Sequence, residues 1–330
     1  MKHLIRAAFG IGLAVLTGST FAQEDWKIGT AVGAATVLGS QVTKSAAAIT
    51  KASGGKIKAE HQQVLNEQDL TQQVLRGRLP MMHVTVSGAG VAFPDATVLV
   101  FPYLWSSAEE RDWVYDRHAA PIVNKMYAAK GLTVLRWMDG GINDFFCRFA
   151  CTDMESLKGK KFRALATPTE PIFMRLLGTN SQQMPLSDFF PALQQGVMDG
   201  GHLVFPFYAT SPAAQSAPNV IRTRHLNNLF FLVVNTEIWQ KQPADLRKAI
   251  LGGLPPTAEF NRDLKEQEDN LTKQFLAKGG KITELPAAQK QQLVDRISAA
   301  HPEMLQASSA GAKELYAAIQ KGKAEFKARK

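Results

Sequence analysis

Strand-like and helix-like segments alternate along this chain, and that alternation restricts the fold more than any other feature. A strand pattern at Asp25–Gly29 precedes a helix pattern at Val37–Ser53, and the same order continues through further strands to Met138. The continuous apolar run Leu229–Asn235 is typical of a strand that is buried on both faces. Because strands that alternate with helices form mostly parallel, helix-covered sheets, the sequence predicts an α/β fold with a largely parallel sheet.

The alternating pattern starts again after Gly140-Gly141, which predicts a division of the chain into two lobes. We expect residues 23–140 and 229–265 to form the first lobe. We expect residues 141–228 and 266–330 to form the second. Charged amphipathic helices dominate from Ala258 onward, and these helices are expected to brace the two lobes.

The first 22 residues have the pattern of a secretory signal peptide. Lys2 and Arg6 precede the short apolar run Ala7–Thr17, and small residues stand three and one positions before a cut after Ala22. The apolar run is shorter than the roughly 20 residues that span a bilayer. The sequence therefore predicts export with cleavage near Ala22, and a retained membrane anchor is the alternative.

Composition excludes several classes of protein. The 330 residues carry 38 Lys and Arg against 29 Asp and Glu, a net charge of +9 that is spread along the chain, so we expect no nucleic-acid partner. Two cysteines are too few for a disulfide-dense miniprotein or a four-cysteine zinc site. In an oxidising compartment Cys147 and Cys151 are candidates for a disulfide, which requires a turn through residues 148–150. Two buried thiols are the alternative.

Motifs for catalysis and cofactor binding do not occur in the sequence. Gly29, Gly33 and Gly39 lack the spacing of a dinucleotide-binding loop, and no phosphate-binding loop of the GxxxxGK[ST] type occurs. Ser87 lacks the preceding glycine of a nucleophile elbow, and the seven histidines form no HExxH pair. The sequence therefore predicts neither an enzyme nor a cofactor or metal site.

Two blocks in the middle of the chain carry a family resemblance. Residues 154–165 read MESLKGKKFRAL, and residues 183–200 read QMPLSDFFPALQQGVMDG. These blocks resemble the substrate-binding proteins of tripartite ATP-independent periplasmic (TRAP) transporters, the DctP family, and further blocks fall in the same order along the whole mature chain. The resemblance implies a two-lobed periplasmic binding protein, type II-like, that closes on its ligand by hinge bending.

The resemblance also implies ligand-binding residues. Arg163 matches the strand arginine that pairs with the ligand carboxylate in this family, a role that suits the planar guanidinium. A surface arginine in an ion pair is the alternative for Arg163. His225 matches a histidine that is common beside the cleft of family members.

Departures from the family pattern bear on the ligand. Asn143 stands where sialic-acid-binding members have a second arginine, and His202-Leu203 replace a Glu-Asn pair. Further positions that fall at the expected cleft are Ala31, Glu67, Thr85 and Leu186. Six phenylalanines lie near the same blocks, at positions 145, 146, 205, 207, 230 and 231, and Phe145 and Phe205 are taken as candidate ligand contacts. Polar groups have been lost and aromatic ones are nearby, so we expect a monocarboxylate ligand with an apolar or aromatic body.

The predicted function is therefore the capture of a small organic acid in the periplasm and its delivery to integral membrane TRAP permease subunits. We expect the protein to act as a monomer. Two alternatives remain open from the sequence. The chain could be the ligand-binding component of a membrane sensor, or a secreted enzyme on the same architecture.

Overall fold

A computed structural model describes residues 23–329 of the chain. The predicted signal peptide lies outside the described residues. No helix between residues 23 and 329 combines the length and the apolar character needed to cross a membrane.

The described chain is a mixed α/β structure. Its strands are β1 (Glu24–Thr30), β2 (Ile57–Gln63), β3 (Met81–Thr85), β4 (Leu132–Cys147), β5 (Lys161–Ala164), β6 (Asn180–Gln183), β7 (Gly200–Val204), β8 (Asn219–Asn235) and β9 (Lys281–Glu284). Its α-helices are α1 (Val37–Ala52), α2 (Glu67–Leu75), α3 (Ala108–Val114), α4 (Ala120–Ala128), α5 (Glu170–Leu176), α6 (Leu186–Gln194), α7 (Phe205–Ala209), α8 (Ala213–Ser216), α9 (Thr236–Gln240), α10 (Ala244–Gly253), α11 (Thr257–Ala277), α12 (Ala287–Ser298), α13 (His301–Gln306) and α14 (Ala310–Ala328). Short 3₁₀ turns at Pro94–Val100 and Glu155–Leu157 and a π-helical turn at Tyr115–Ala119 complete the list.

Two long strands, β4 and β8, connect the lobes. The strand order is β2-β1-β3-β8-β4-β7-β5-β6, with β9 beside β8. The C-terminal half of β8 pairs with β3, whereas its N-terminal end pairs with β9. The sheet is mixed because β8 and β4 run antiparallel to each other and to their neighbours β3 and β7. The predicted largely parallel sheet therefore describes only the outer strands of each lobe.

The glycine pair at 140–141 lies within a strand and does not end one. β4 continues through both residues, with register shifts against β8 on either side. A Cβ atom on Gly140 would lie 2.6 Å from the Phe230 ring and 3.0 Å from the Asn228 carbonyl oxygen, so the close approach of β8 requires glycine there. The restart of the pattern that the sequence suggested at this point therefore falls inside a continuous strand.

Alternate residues of the central strands enter opposite cores, as the apolar run at 229–235 predicted. Phe231 and Val233 join the core that contains α2, α3 and α14, whereas Leu232 and Val234 join the core under α1 and α10. A third core, around Phe146 and the helices α6 and α7, belongs to the second lobe. Both faces of the first-lobe sheet are therefore covered by helices.

Two of the late helices show how this part of the chain packs against the expected lobes, which were predicted to meet at residue 265. Helix α11 packs Phe260 and Leu264 into a first-lobe core and Phe275 into the second-lobe core, so it bridges the two lobes. Helix α14, expected in the second lobe, buries Leu315 and Ile319 against first-lobe residues, and Lys323 lies within ion-pair distance of Glu110 on α3. The amphipathic pattern of a helix identifies its apolar face but does not identify the surface that covers it.

Candidate ligand-binding site

A cavity lies where the two lobes meet beside β4 and β8. Its volume is about 60 Å³, which at roughly 10–15 Å³ per water corresponds to a handful of water molecules or a small ligand. The first lobe and β8 contribute Ala31, Val32, Leu65, Asn66, Glu67, Gln68, Thr85, Ser87, Gly88, Asn228 and Phe230. The second lobe contributes Asn143, Arg163, Leu165, Ala166, Pro185, Leu186, Leu203, Val204 and Phe207.

Arg163 is a buried cation in the second-lobe wall. It is the third residue of β5, and its Nε donates a hydrogen bond to the Met184 carbonyl oxygen at 2.9 Å. Its Nη1 is buried and has no hydrogen-bond partner in the part of the chain that the structure describes. Burial lowers the pKa of Arg163 to about 10, although Glu170 and Glu67 act in the opposite direction, so the guanidinium remains protonated at neutral pH. The arrangement can accept an anion from the cavity.

Glu67 is the acidic group of the first-lobe wall. It is the first residue of α2, which Asn66 caps, and its Oε1 accepts a hydrogen bond from the Thr85 backbone N–H at 2.8 Å. Its Oε2 accepts another from the Thr85 hydroxyl at 2.8 Å, and that hydroxyl accepts from the Gly88 N–H at 2.7 Å. Burial raises the pKa of Glu67 above its usual range, although the Thr85 hydrogen bonds and the Arg163 charge oppose this shift. The carboxylate is thus held by its own lobe.

Asn143 lines the cavity in front of two buried histidines. Asn143 Nδ2 lies 3.3 Å from His202 Nδ1. His202 Nδ1 also lies 3.0 Å from His225 Nε2. On the far side of the ring, His202 Nε2 lies 2.6 Å from Glu170 Oε1, close but not aligned as a regular hydrogen bond. His225 Nδ1 lies 2.7 Å from the Thr223 hydroxyl, and burial holds the pKa of His225 well below its usual value.

Four buried polar atoms of cavity-lining residues have no hydrogen-bond partner within residues 23–329. They are Ser87 Oγ, Asn143 Oδ1, Arg163 Nη1 and Asn228 Oδ1. Buried polar atoms are normally paired, and leaving one unpaired costs about 1–3 kcal/mol. Unpaired atoms gathered at one cavity therefore indicate a place for a polar ligand or ordered water.

Six of the nine predicted ligand-binding residues line the cavity. They are Glu67, Thr85, Asn143, Arg163, Leu186 and Leu203. Ala31, which the family pattern also placed at the cleft, lines it as well. Phe207 and Phe230, from the group of six phenylalanines, supply aromatic surface, and the Phe230 ring stacks on His83 with centroids 4.3 Å apart.

The other three predicted residues lie away from the cavity lining. His225 stands behind His202, and the Phe145 ring packs against both histidines, with its centroid 4.7 Å from that of His225 and 5.3 Å from that of His202. Phe205 is covered by the Arg222 guanidinium at 4.4 Å and packs in the second-lobe core. The expectation that Phe145 and Phe205 face the ligand differs from the structure because their rings fill the second-lobe interior.

Sequence reasoning did not select Ser87, Asn228 or Glu170 for the site. Ser87 follows β3, and the carboxyl ends of the neighbouring parallel strands β1 and β3 meet at the cavity. A polar residue two positions after a buried strand could therefore have indicated the site. Asn228, immediately before the apolar run of β8, carried a similar signal. Glu170 carried none, because its contact with His202 depends on the fold.

Cys147 and Cys151 form a disulfide, with Cα atoms 6.2 Å apart. Cys147 is the last residue of β4, and the bends at residues 148 and 149 bring Cys151 back toward it. The turn that the spacing required is therefore present, and the bridge lies in the second lobe.

Comparisons with known proteins identify the family. Residues 28–308 match the family model for bacterial extracellular solute-binding proteins, family 7, known as DctP. The chain belongs to this family. Its members are periplasmic solute-binding components of TRAP transport systems rather than enzymes, and they bind small organic acids.

Sequence and structure relatives extend along nearly the whole chain. A solute-binding protein of Chromohalobacter salexigens is 25% identical over 316 residues, covering 92% of this chain and 94% of that protein. The sugar-acid-binding protein DctPAm of Advenella mimigardefordensis, solved with galactonate, aligns with a TM-score of 0.84 at 18% identity and covers 91% of this chain and 99% of its own. A TRAP periplasmic solute-binding protein of Desulfovibrio salexigens, solved with orotic acid, aligns with a TM-score of 0.86 at 14% identity. The alignment covers 92% of this chain and 99% of that protein. These likenesses establish the two-lobed fold.

Proposed function

We propose that this member of the family binds a small monocarboxylate through Arg163 and delivers it to a TRAP-type membrane permease. The observation that carries the proposal is the buried guanidinium at the cavity, which is anchored at Nε and has Nη1 without a partner in the described chain. A carboxylate that accepts from Nη1 would gain a charge-assisted hydrogen bond in a site shielded from water. Arg163 is also the one cationic side chain among the cavity-lining residues of the described chain, which favours a single carboxylate.

The remaining lining supports a short ligand with an apolar body. Leu186, Leu203, Val204, Phe207 and Phe230 supply aliphatic and aromatic surface. The volume of about 60 Å³ favours a molecule smaller than a six-carbon sugar acid. Because the related proteins above were solved with ligands as different as galactonate and orotic acid, the ligand of this chain has to be judged from its own lining.

Export to the periplasm, with cleavage near Ala22, is part of the proposal. The two lobes would open and close at the crossing of β4 and β8, where the register shifts on either side of Gly140 and Gly141 interrupt regular pairing. Closure would bury the pair formed by Arg163 and the ligand carboxylate and present a joint surface of both lobes to the membrane subunits.

The first test replaces the cation. We expect Arg163→Ala to weaken the binding of 3-methylbutanoate or 3-phenylpropanoate by at least about 2 kcal/mol, or roughly 30-fold in Kd, because a charged hydrogen-bonding partner is lost. Isothermal titration calorimetry on the full mature protein measures this change. Gluconate in the same titrations reports whether a polyhydroxy acid is preferred.

Arg175→Ala is the matched control, because Arg175 lies on α5 of the same lobe and pairs with Glu303 on an exposed surface. Its Kd should equal that of the wild type. Equal affinity of the wild type and Arg163→Ala would place the carboxylate elsewhere. Tight binding of gluconate without any response to the branched or aromatic acid would contradict the apolar body.

A further inference from the structure

A chain of buried polar side chains stands behind Asn143 and does not itself line the cavity. It consists of Glu170, His202, His225 and Thr223, and each of these side chains is at least nine-tenths buried. Asn143, also buried, is the one member of this network that reaches the cavity lining. Contacts of 2.6–3.3 Å join these side chains in sequence, and the one between Glu170 and His202 is a close approach rather than an aligned hydrogen bond. Because buried polar groups in contact restrict one another, the chain can control what Asn143 presents to a ligand.

The carboxylate at one end determines where the hydrogens lie. A carboxylate oxygen only accepts, so His202 Nε2, which lies 2.6 Å from Glu170 Oε1, carries the ring hydrogen. In a neutral ring His202 Nδ1 is then an acceptor, and His225 Nε2 at 3.0 Å is the donor to it. His225 Nδ1 in turn accepts from the Thr223 hydroxyl at 2.7 Å. The strongly lowered pKa of His225 is consistent with its neutral form.

This pattern determines the orientation of the Asn143 amide. His202 Nδ1, an acceptor, lies 3.3 Å from the Asn143 side chain and attracts its NH₂ group. The reverse orientation would bring two acceptors together, which is unfavourable in a buried site. The NH₂ group therefore faces His202, and Oδ1 is left buried without a partner in the described residues.

We propose that His202 is a positioning residue that presents Asn143 Oδ1 to the cavity, so that the site selects acids carrying a hydroxyl or amino hydrogen in addition to the carboxylate. This inference rests on the proposed function. A ligand with such a hydrogen would pair with Oδ1, whereas an analogue without it would leave a buried acceptor unsatisfied. Asn228 Oδ1 is a second unpaired amide oxygen at the cavity, and it too would be satisfied by a hydrogen-bond donor on the ligand.

The experiment compares acids that differ only in the donor. The first set contains propanoate, lactate and alanine, and the second contains 3-methylbutanoate, 2-hydroxy-3-methylbutanoate and valine. A third pair, butanoate and 3-hydroxybutanoate, moves the donor by one carbon. We expect calorimetry on the wild-type protein to show at least about tenfold tighter binding of a donor-bearing member in one or more sets, corresponding to the cost of one unpaired buried acceptor. The hydroxy and amino members identify which donor is preferred.

Variants then separate positioning from mere structural support. In Asn143→Leu, the acids with and without the hydroxyl or amino group should bind with about equal Kd. His202→Phe should do the same although Asn143 is intact, because the ring is kept and the acceptor is lost. His202→Asn should keep the preference, because its amide oxygen can accept from Asn143 Nδ2. His301→Gln is the control, since His301 is a buried histidine that contacts the Pro102 carbonyl oxygen, does not line the cavity and has no side-chain contact with Asn143 or His202.

Each outcome has a distinct meaning. A loss of preference in His202→Phe that His202→Asn restores supports the proposal, and His202→Leu replaces the first variant if thermal unfolding shows that it does not fold. A wild-type preference below tenfold in every set, or an unchanged preference in His202→Phe, overturns the inference while the proposed function stands. If no acid of any set binds the wild type, the proposed function itself fails and the inference fails with it.

Discussion

The two walls of the cavity differ in how completely their charged groups are hydrogen-bonded within the protein. In the first-lobe wall, both oxygens of Glu67 accept hydrogen bonds from Thr85, so its carboxylate is satisfied without a ligand. In the second-lobe wall, Arg163 is anchored at Nε and Asn143 at Nδ2, while Arg163 Nη1 and Asn143 Oδ1 lack partners within the described residues. The Glu67 carboxylate is therefore paired without a ligand, whereas Arg163 and Asn143, like Ser87 and Asn228 on the first-lobe side, keep an unpaired polar atom in the described chain.

This difference separates two tasks in binding. In the second-lobe wall, Arg163 and Asn143 supply an unpaired donor and an unpaired acceptor, and satisfying them yields affinity and selectivity. The first-lobe wall supplies shape and a fixed charge whose position the ligand does not alter. We therefore expect changes in the second-lobe wall to affect which acid binds, whereas changes in the first-lobe wall should affect stability and the dependence of affinity on pH.

The largest expected effect is on the stability of the second lobe and concerns Asp144, the buried residue next to Asn143. Asp144, next to Asn143 on β4, accepts a hydrogen bond from the Arg224 backbone N–H at 2.8 Å, yet burial raises its pKa from 3.8 to about 6. The folded state therefore binds the proton more tightly than the unfolded state. Its contribution to the free energy of unfolding is full below about pH 4 and should be lost, by about 3 kcal/mol, as the pH rises to about 6.

Asp144→Asn should remove this part of the pH dependence, because an amide oxygen still accepts from the Arg224 N–H but does not titrate. Chemical denaturation of both proteins at several values between pH 4 and pH 7 measures the difference. Asp199→Asn is a comparison in the same lobe. Parallel stability curves for the wild type and Asp144→Asn would show that burial of Asp144 carries no such cost.

The next effect concerns the contribution of the Glu67–Thr85 hydrogen bonds to stability. A Cβ atom on Gly88 would lie 2.2 Å from Glu67 Oε2, so Gly88→Ala should push the carboxylate away from Thr85. We expect the free energy of unfolding to fall by about 2 kcal/mol, in the range of overpacked sites. Gly33→Ala in a nearby loop is the control, because its Cβ would meet no atom closer than 3.8 Å. Equal stability of the two variants would mean that the wall adjusts freely.

The smallest effect concerns the charge of Glu67. Burial raises the pKa of this group, so the cavity loses a negative charge as the pH falls through that raised value, and an anionic ligand should then bind more tightly. Glu67→Gln should bind 3-methylbutanoate a few-fold more tightly at neutral pH, an electrostatic gain on the order of 1 kcal/mol, and should show a flatter dependence of Kd on pH.

Asp69→Asn on the exposed side of α2 is the matched control for Glu67→Gln, since it removes one carboxylate from the same helix outside the cavity lining. Calorimetry between pH 5 and pH 8 compares the three proteins. A Kd that changes equally in both variants would reflect net charge alone, and the Glu67 carboxylate would then have no special influence on the ligand.

Local sequence patterns predicted much of the fold. The first two elements are one case: the strand pattern at Asp25–Gly29 matches β1, and the helix pattern at Val37–Ser53 matches α1. The continuity of β4 through Gly140 and Gly141 was missed, because paired glycines usually mark a break, whereas here they permit β8 to approach closely. The place of α14 was missed because the apolar face of an amphipathic helix does not specify its partner.

The candidate site was predicted only as far as residue types and the family pattern reach. Arg163, Glu67 and Thr85 were expected at the cleft from the resemblance, and all three line the cavity. Phe145 and Phe205 were expected there because aromatic residues lay near the right blocks, but nearness in sequence does not determine on which side of a strand or helix a ring packs. Glu170 carried no signal at all.

The sequence by itself determined where many of the strands and helices lie, because a helix or strand pattern depends on residues a few positions apart, and the family resemblance added one cation suited to a carboxylate. Only the tertiary structure decided which polar atoms find partners. The contacts of Glu67 with Thr85 and of Asn143 with His202 join residues 18 and 59 positions apart. Glu67 is paired because the fold places the two Thr85 donors beside it, and Arg163 Nη1 is unpaired because no acceptor of the described chain is placed to hydrogen-bond with it.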